Sequence, residues 1–115
     1  MPRFVILEHD HPNLHWDLML ESGELLATWR LPGPPEMGTV RATRIGEHRR
    51  LYLDYEGPVS GERGHVKRWD WGTYDEIDTT AERLMLHLHG QRLTARATLE
   101  QIRDDEWQLT LDRAV

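Results

Sequence analysis

The sequence predicts an all-β domain, a small closed or partly open β-barrel of about eight short strands with little helix. Three observations carry this expectation. Nearly every patterned stretch alternates apolar and polar residues with period two, as strands with one buried face do. Turn-forming residues stand between those stretches: Ser22-Gly23, Gly57, Gly61, Gly64, Gly72 and Gly90. No window shows the apolar period of a helix, and only Thr79–Arg83 offers a single turn.

Taken in order, Phe4–His9 is a short apolar run suited to a strand buried on both faces. In Leu14–Glu21, Leu14, Trp16, Leu18 and Leu20 face one way, and His15, Asp17, Met19 and Glu21 the other. His11-Pro12-Asn13 lies between these two segments, so they read as a hairpin. Leu25, Ala27, Trp29 and Leu31 line one face of a third strand, which Pro32-Gly33-Pro34-Pro35 ends in an exposed loop. Further strands are expected at Val40–Ile45, Leu51–Tyr55, His65–Trp71, Arg83–His89, Arg92–Leu99 and Trp107–Leu111. The five tryptophans are expected to pack the barrel.

At 115 residues the chain is expected to form one domain, residues 1–115, with no repeat or linker. The absence of cysteine removes disulfides and thiolate metal sites, leaving imidazole and carboxylate as metal ligands. The apolar run at the amino terminus ends after four residues, too short for a signal peptide or a membrane span; a soluble cytoplasmic protein is the expectation. No Gly-rich phosphate loop or nucleophile elbow is present, which sets aside nucleotide hydrolases and serine esterases. The net charge of −6 argues against a protein that coats nucleic acid. Residues 41–68 nevertheless hold seven of the 14 Lys and Arg against four acids, a basic segment suited to contact with a few phosphates.

Two groups of residues can carry chemistry. His15 and Asp17 stand side by side on one strand face, and a hairpin brings His9 beside them. Two imidazoles and a carboxylate with open positions suit Mn²⁺, Fe²⁺ or Zn²⁺. The competing reading is a set of polar residues on the wet face of an amphipathic hairpin. In the second group, His48, Arg50, Tyr52 and Asp54 share one face of an extended segment, with donors that suit a phosphate. His48 and Tyr52 would lie ~13 Å apart on a straight strand, so they meet one ligand only if the chain bends. His65, His87 and His89 are read as solvent-facing strand residues.

These residues, in order, resemble the 3′-phosphoesterase domain of bacterial DNA ligase D, over nearly the whole chain. His9-Asp10 and Leu14-His15-Trp16-Asp17 match the opening of that family, and Trp29-Arg30-Leu31-Pro32 its Trp-x-(Val/Leu)-Pro stretch. His48, Tyr52 and Glu56-Gly57 match its central segment. Trp69-Asp70-Trp71-Gly72-Thr73-Tyr74 and Leu88-His89-Gly90-Gln91-Arg92-Leu93 match its later motifs.

The resemblance implies a β-barrel with a divalent metal, Mn²⁺ first and Zn²⁺ or Co²⁺ as alternatives. His9, His15 and Asp17 would be its ligands, and His48 and Tyr52 would engage the scissile phosphate. It implies a monomer acting on 3′ ends of DNA, or DNA with a terminal ribonucleotide, during double-strand-break repair, with a separate ligase or polymerase as working partner and no membrane. Two departures stand out. Where the family places a phosphate-binding arginine two residues after the metal-binding Asp, this chain has Met19. The resemblance also implies an amino-terminal arm that supports 3′-phosphate removal in ligase-fused versions, and with the first expected strand at Phe4–His9 that arm is expected to be missing here. Arg30, Arg50 and Arg49 are the candidates to supply the missing cation from neighbouring strands. The alternative is a non-catalytic, metal-containing module that binds nucleic-acid ends or a repair partner. A metal-binding barrel acting on an unrelated small molecule fits the basic segment less well.

Overall fold

The computed structural model describes residues 1–113 as a closed eight-stranded antiparallel barrel with one short extra strand. The strands are β1 (Arg3–His9), β2 (His15–Ser22), β3 (Leu25–Leu31), β4 (Gly38–Arg49), β5 (Gly57–Pro58), β6 (His65–Thr79), β7 (Arg83–Gly90), β8 (Thr94–Arg103) and β9 (Glu106–Arg113). Around the barrel the order is β1-β2-β3-β4-β9-β8-β7-β6, and β6 closes the ring by pairing back onto β1. The long β6 makes closure possible: residues from Val66 to Thr73 pair with β1, and those from Gly72 to Thr79 with β7. β5 pairs with the start of β6.

Period two decides what fills the barrel. Trp16, Leu18 and Leu20 of β2 point inward together with Phe4, Ile6, Trp29, Leu31, Trp107, Leu109 and Leu111. Trp29 and Trp107 meet edge to face at 5.6 Å, while the small Ala95 and Ala97 of β8 leave room for such large neighbours. Eight strands enclose a space that side chains alone can fill, and here they fill it. A ligand must therefore sit on the outer wall.

That wall is apolar where β1 and β2 form it. Val5, Leu7 and Met19 face outward, yet they are buried with Leu26, Leu53 and Val66 beneath Tyr52, Tyr55, Val59 and Trp71. The cover begins where one expected strand is absent. Leu51–Tyr55 is not extended: β4 runs on to Arg49, and the chain then turns through a 3₁₀ segment, Arg50–Leu53. Leu53 anchors this turn in the outer cluster, and Leu51 is left exposed. Thr79–Arg83 likewise forms no helical turn and links β6 to β7.

Asp70 ties the motifs of the second half together. Its carboxylate is wholly buried and accepts the backbone N–H groups of Trp71, Gln91, Arg92 and Leu93 at 2.7–3.0 Å. Gly90 is needed there because a Cβ would lie 2.3 Å from Asp70 Oδ2. Gly72 is needed because a Cβ would lie 1.9 Å from the carbonyl oxygen of His89. Arg92 thus belongs to the β7–β8 turn rather than to the following strand.

Candidate active site

The β1–β2 register sets the first three residues of the site. His9 pairs with His15 and Leu7 with Asp17, so the hairpin places His9 beside both residues of the His-x-Asp pair. One ligand atom from each of His9, His15 and Asp17 lies within 4.8 Å of the others. His15 Nε2 is 3.1 Å and His9 Nδ1 4.0 Å from Asp17 Oδ2.

Carbonyl groups assign the protons on both rings. His9 Nε2 donates to the Arg63 carbonyl at 2.8 Å, and His15 Nδ1 donates to the Asn13 carbonyl at 2.8 Å. A carbonyl can only accept, so one ring proton of each imidazole lies on the side away from Asp17; the other nitrogen faces the carboxylate, that of His15 at hydrogen-bonding distance, 3.1 Å, and would be a lone-pair donor to a cation bound there. Asp17 is itself buried, and its Oδ1 has no hydrogen-bond partner. Two imidazole nitrogens and an under-satisfied carboxylate converging on one point make a donor set that fits a divalent cation. Among the described residues this is the one such cluster.

The cluster opens into a cleft of about 270 Å³ on the outer wall of the barrel, floored by Leu7, Met19 and Val66 and lined by His11, Arg30, His48, Tyr52, Val59 and Arg63. Because the chain turns at Arg50, His48 and Tyr52 meet with ring centroids 5.9 Å apart, edge to face. Burial lowers the pKa of His48 below the ordinary histidine value; the charge of Asp17 and the Gly46 carbonyl oppose this, and Arg30 and His9 add to it. His48 Nδ1 lies 3.1 Å from the hydroxyl of Thr28 on the adjacent strand, and that hydroxyl donates to the Leu26 carbonyl at 2.9 Å.

The three candidate arginines separate. Arg30 lines the cleft, with Nε 3.6 Å from Asp17 Oδ1, because β3 pairs it directly with Asp17. Arg50 is drawn by the 3₁₀ turn into an ion pair with Glu21, farther along β2. Arg49 is exposed at the end of β4, and neither it nor Arg50 lines the cleft. Met19 is 2% exposed and forms floor where a cation was sought.

Arg63 also lines the cleft, and in the sequence it stands out only as part of a basic segment. It rides on a loop curled by positive φ at Gly61, Glu62 and Gly64. A Cβ on Gly64 would lie 2.2 Å from Asp10 Oδ1, so glycine there lets the loop close on the β1–β2 turn. Asp10 completes the closure by accepting the His65 N–H at 2.6 Å. A Gly-rich loop after a candidate site was the only sequence signal for this arrangement. His87 and His89 lie elsewhere on the outer wall, where His89 Nε2 is 2.8 Å from Asp75.

A family model described as the DNA ligase D 3′-phosphoesterase domain matches residues 7–101, a span that includes every cleft residue named above. The chain is 34% identical over 114 aligned residues to the multifunctional non-homologous end joining DNA repair protein LigD of Mycobacterium tuberculosis, covering 90% of this chain and 15% of that protein. It is 30% identical to the LigD proteins of Mycolicibacterium smegmatis, over 91% of this chain and 16% of that one, and of Pseudomonas aeruginosa, over 82% and 12%. The chain therefore spans about a sixth or less of the length of these relatives.

Proposed function

The chain belongs to the DNA ligase D 3′-phosphoesterase domain family, and from this we propose that it is a metal-dependent phosphoesterase that processes 3′ ends of nucleic acid in DNA end repair. The observation that carries the reading is the convergence of His9 Nδ1, His15 Nε2 and Asp17 at the edge of a cleft that also holds His48, Tyr52, Arg30 and Arg63. His9, His15 and Asp17 would hold Mn²⁺, with Zn²⁺ or Co²⁺ as substitutes, and this borderline-to-hard donor set leaves positions open for substrate oxygens. The cation supplies charge that polarises the phosphoryl group.

The chain's own groups would do the rest. Tyr52 donates its hydroxyl to a phosphate oxygen, and His48 beside it stabilises the transition state or exchanges a proton with it. Arg30 and Arg63 both line the cleft, where two cationic side chains suit an anion, although the Arg63 guanidinium already donates to the Ser60 carbonyl at 2.7 Å. The substrate would be a 3′ end of DNA or DNA with a terminal ribonucleotide. The protein would work as a cytoplasmic monomer, with a separate ligase or polymerase acting on the trimmed end. Among the described residues no helix is long and apolar enough to cross a membrane.

Met19 favours a second reading, a non-catalytic module that keeps the metal and binds ends without turnover, because the floor at that position offers no charge to a phosphate. A primer ending in one ribonucleotide separates the two. With Mn²⁺ the wild-type protein is expected to shorten it, and His9→Ala to leave it intact. No cleavage by wild type, or equal cleavage by His9→Ala, would end the enzymatic reading. Activity gained only with Met19→Arg would establish the second.

A further inference from the structure

The hydroxyl of Thr28 has one proton, and its partners show where that proton goes. Thr28 is completely buried, and Oγ1 donates to the Leu26 carbonyl at 2.9 Å, an acceptor that can take nothing else from it. The second contact of Oγ1, with His48 Nδ1 at 3.1 Å, therefore has the histidine as donor. His48 lines the cleft and Thr28 does not, so this contact points away from the space where a ligand would lie.

We propose that Thr28 is a positioning residue that fixes the tautomer and ring orientation of His48, making Nε2 the atom through which the imidazole meets the substrate. The inference deepens the phosphoesterase reading and rests on it for its functional consequence. A neutral ring held in this way offers a lone pair at Nε2, and it donates from Nε2 only after gaining a proton there. A ring free to flip would divide its population between two nitrogens. The β3–β4 pairing prevents this: Leu26 faces His48 in register, and a bulge between Leu26 and Thr28 carries the hydroxyl to Nδ1. Threonine suits the position because its hydroxyl is buried on a strand and the Leu26 carbonyl holds its rotamer.

Two substitutions and two readouts test this. Thr28→Val keeps the volume and removes the hydroxyl, and Thr28→Ser keeps the hydroxyl. Long-range ¹⁵N–¹H correlation spectra of the protein without added metal report the protonated nitrogen of His48 directly. Wild type and Thr28→Ser are expected to show Nδ1–H, and Thr28→Val to move toward the Nε2–H form that a free histidine side chain favours. In turnover with Mn²⁺, Thr28→Val is expected to lose about 10- to 100-fold in kcat with KM little changed, the size of effect seen when a partner orienting a functional histidine is removed. Thr28→Ser should recover most of that loss. Retention of Nδ1–H in Thr28→Val would overturn the proposal, as would equal damage in the two variants or a change confined to KM. If even wild type turns over no 3′ end, the spectra alone decide: a tautomer change upholds the role of Thr28 while the phosphoesterase reading falls.

Discussion

Asp17 stands between two kinds of neighbour, the imidazoles of His9 and His15 at Oδ2 and the guanidinium of Arg30 near Oδ1. An arginine 3.6 Å away is too far for a good hydrogen bond, and Arg30 Nε has no partner of its own. Nε stays buried beside Asp17, while the half-exposed remainder of the side chain lines the cleft, where it can meet an incoming anion. Arg30→Ala is expected to lower kcat/KM on a 3′-ribonucleotide primer by about 100-fold, the scale of removing one well-placed donor to a developing charge. Mn²⁺ binding, read by electron paramagnetic resonance, should survive the substitution. Lost metal binding in Arg30→Ala would instead place the arginine in the support of Asp17. His9, His15 and Asp17 were legible in the sequence because strand parity and one hairpin are enough to bring them together. Arg63 was not, since a loop with left-handed residues carries it and no periodicity describes such a path. Arg50 misled for the opposite reason, since parity was applied past Arg49, where the strand stops; Arg49 itself is exposed and does not line the cleft.

At the scale of elements, period two read most strands correctly and failed at Leu51–Tyr55. Alternating Leu51, Leu53 and Tyr55 suits a short strand, and the 3₁₀ turn uses the same residues differently, burying Leu53 and exposing Leu51. So short a pattern does not distinguish the two. That turn matters more than a fourth pair of ladder bonds would, because it closes the gap between His48 and Tyr52. The Trp-Asp-x-Gly and Leu-x-Gly-x-x-Leu stretches looked like separate motifs in the sequence. They form one device in the structure, a buried carboxylate gathering the N–H groups of the β7–β8 turn. Asp70→Ala leaves several of those donors without an acceptor, and each buried orphan costs about 1–3 kcal/mol. The variant is expected to lose about 3 kcal/mol or more in urea unfolding. Hydrogen exchange should speed up first at Gln91, Arg92 and Leu93. Unchanged stability would mean that water reaches the turn and replaces the carboxylate.

Across the whole molecule the barrel was predictable, and the cover over its outer wall was not. Binary patterning tells which side chains fill a barrel, but it treats every outward residue as wet, and Val5, Leu7 and Met19 are outward and dry. Strand parity already sets His15 and Asp17 on the outside; the covering turn and loop, which parity does not describe, are what make that outside a cleft. Charge is divided in a related way. The chain carries −6 overall, yet the cleft includes Arg30 and Arg63, which gives a polyanion a local point of attraction on an acidic protein. Each phosphate neutralised on duplex DNA contributes a slope of about −0.9 to the dependence of log K on log salt. If the two cleft arginines alone meet phosphates, a slope of about −2 is expected for binding of a duplex with a recessed 3′ end, measured by fluorescence anisotropy without turnover. Affinity should depend on the end and hardly on duplex length. A much steeper slope, or binding that grows with every added base pair, would require a second, extended basic surface, and the cleft would then be only one part of the interface.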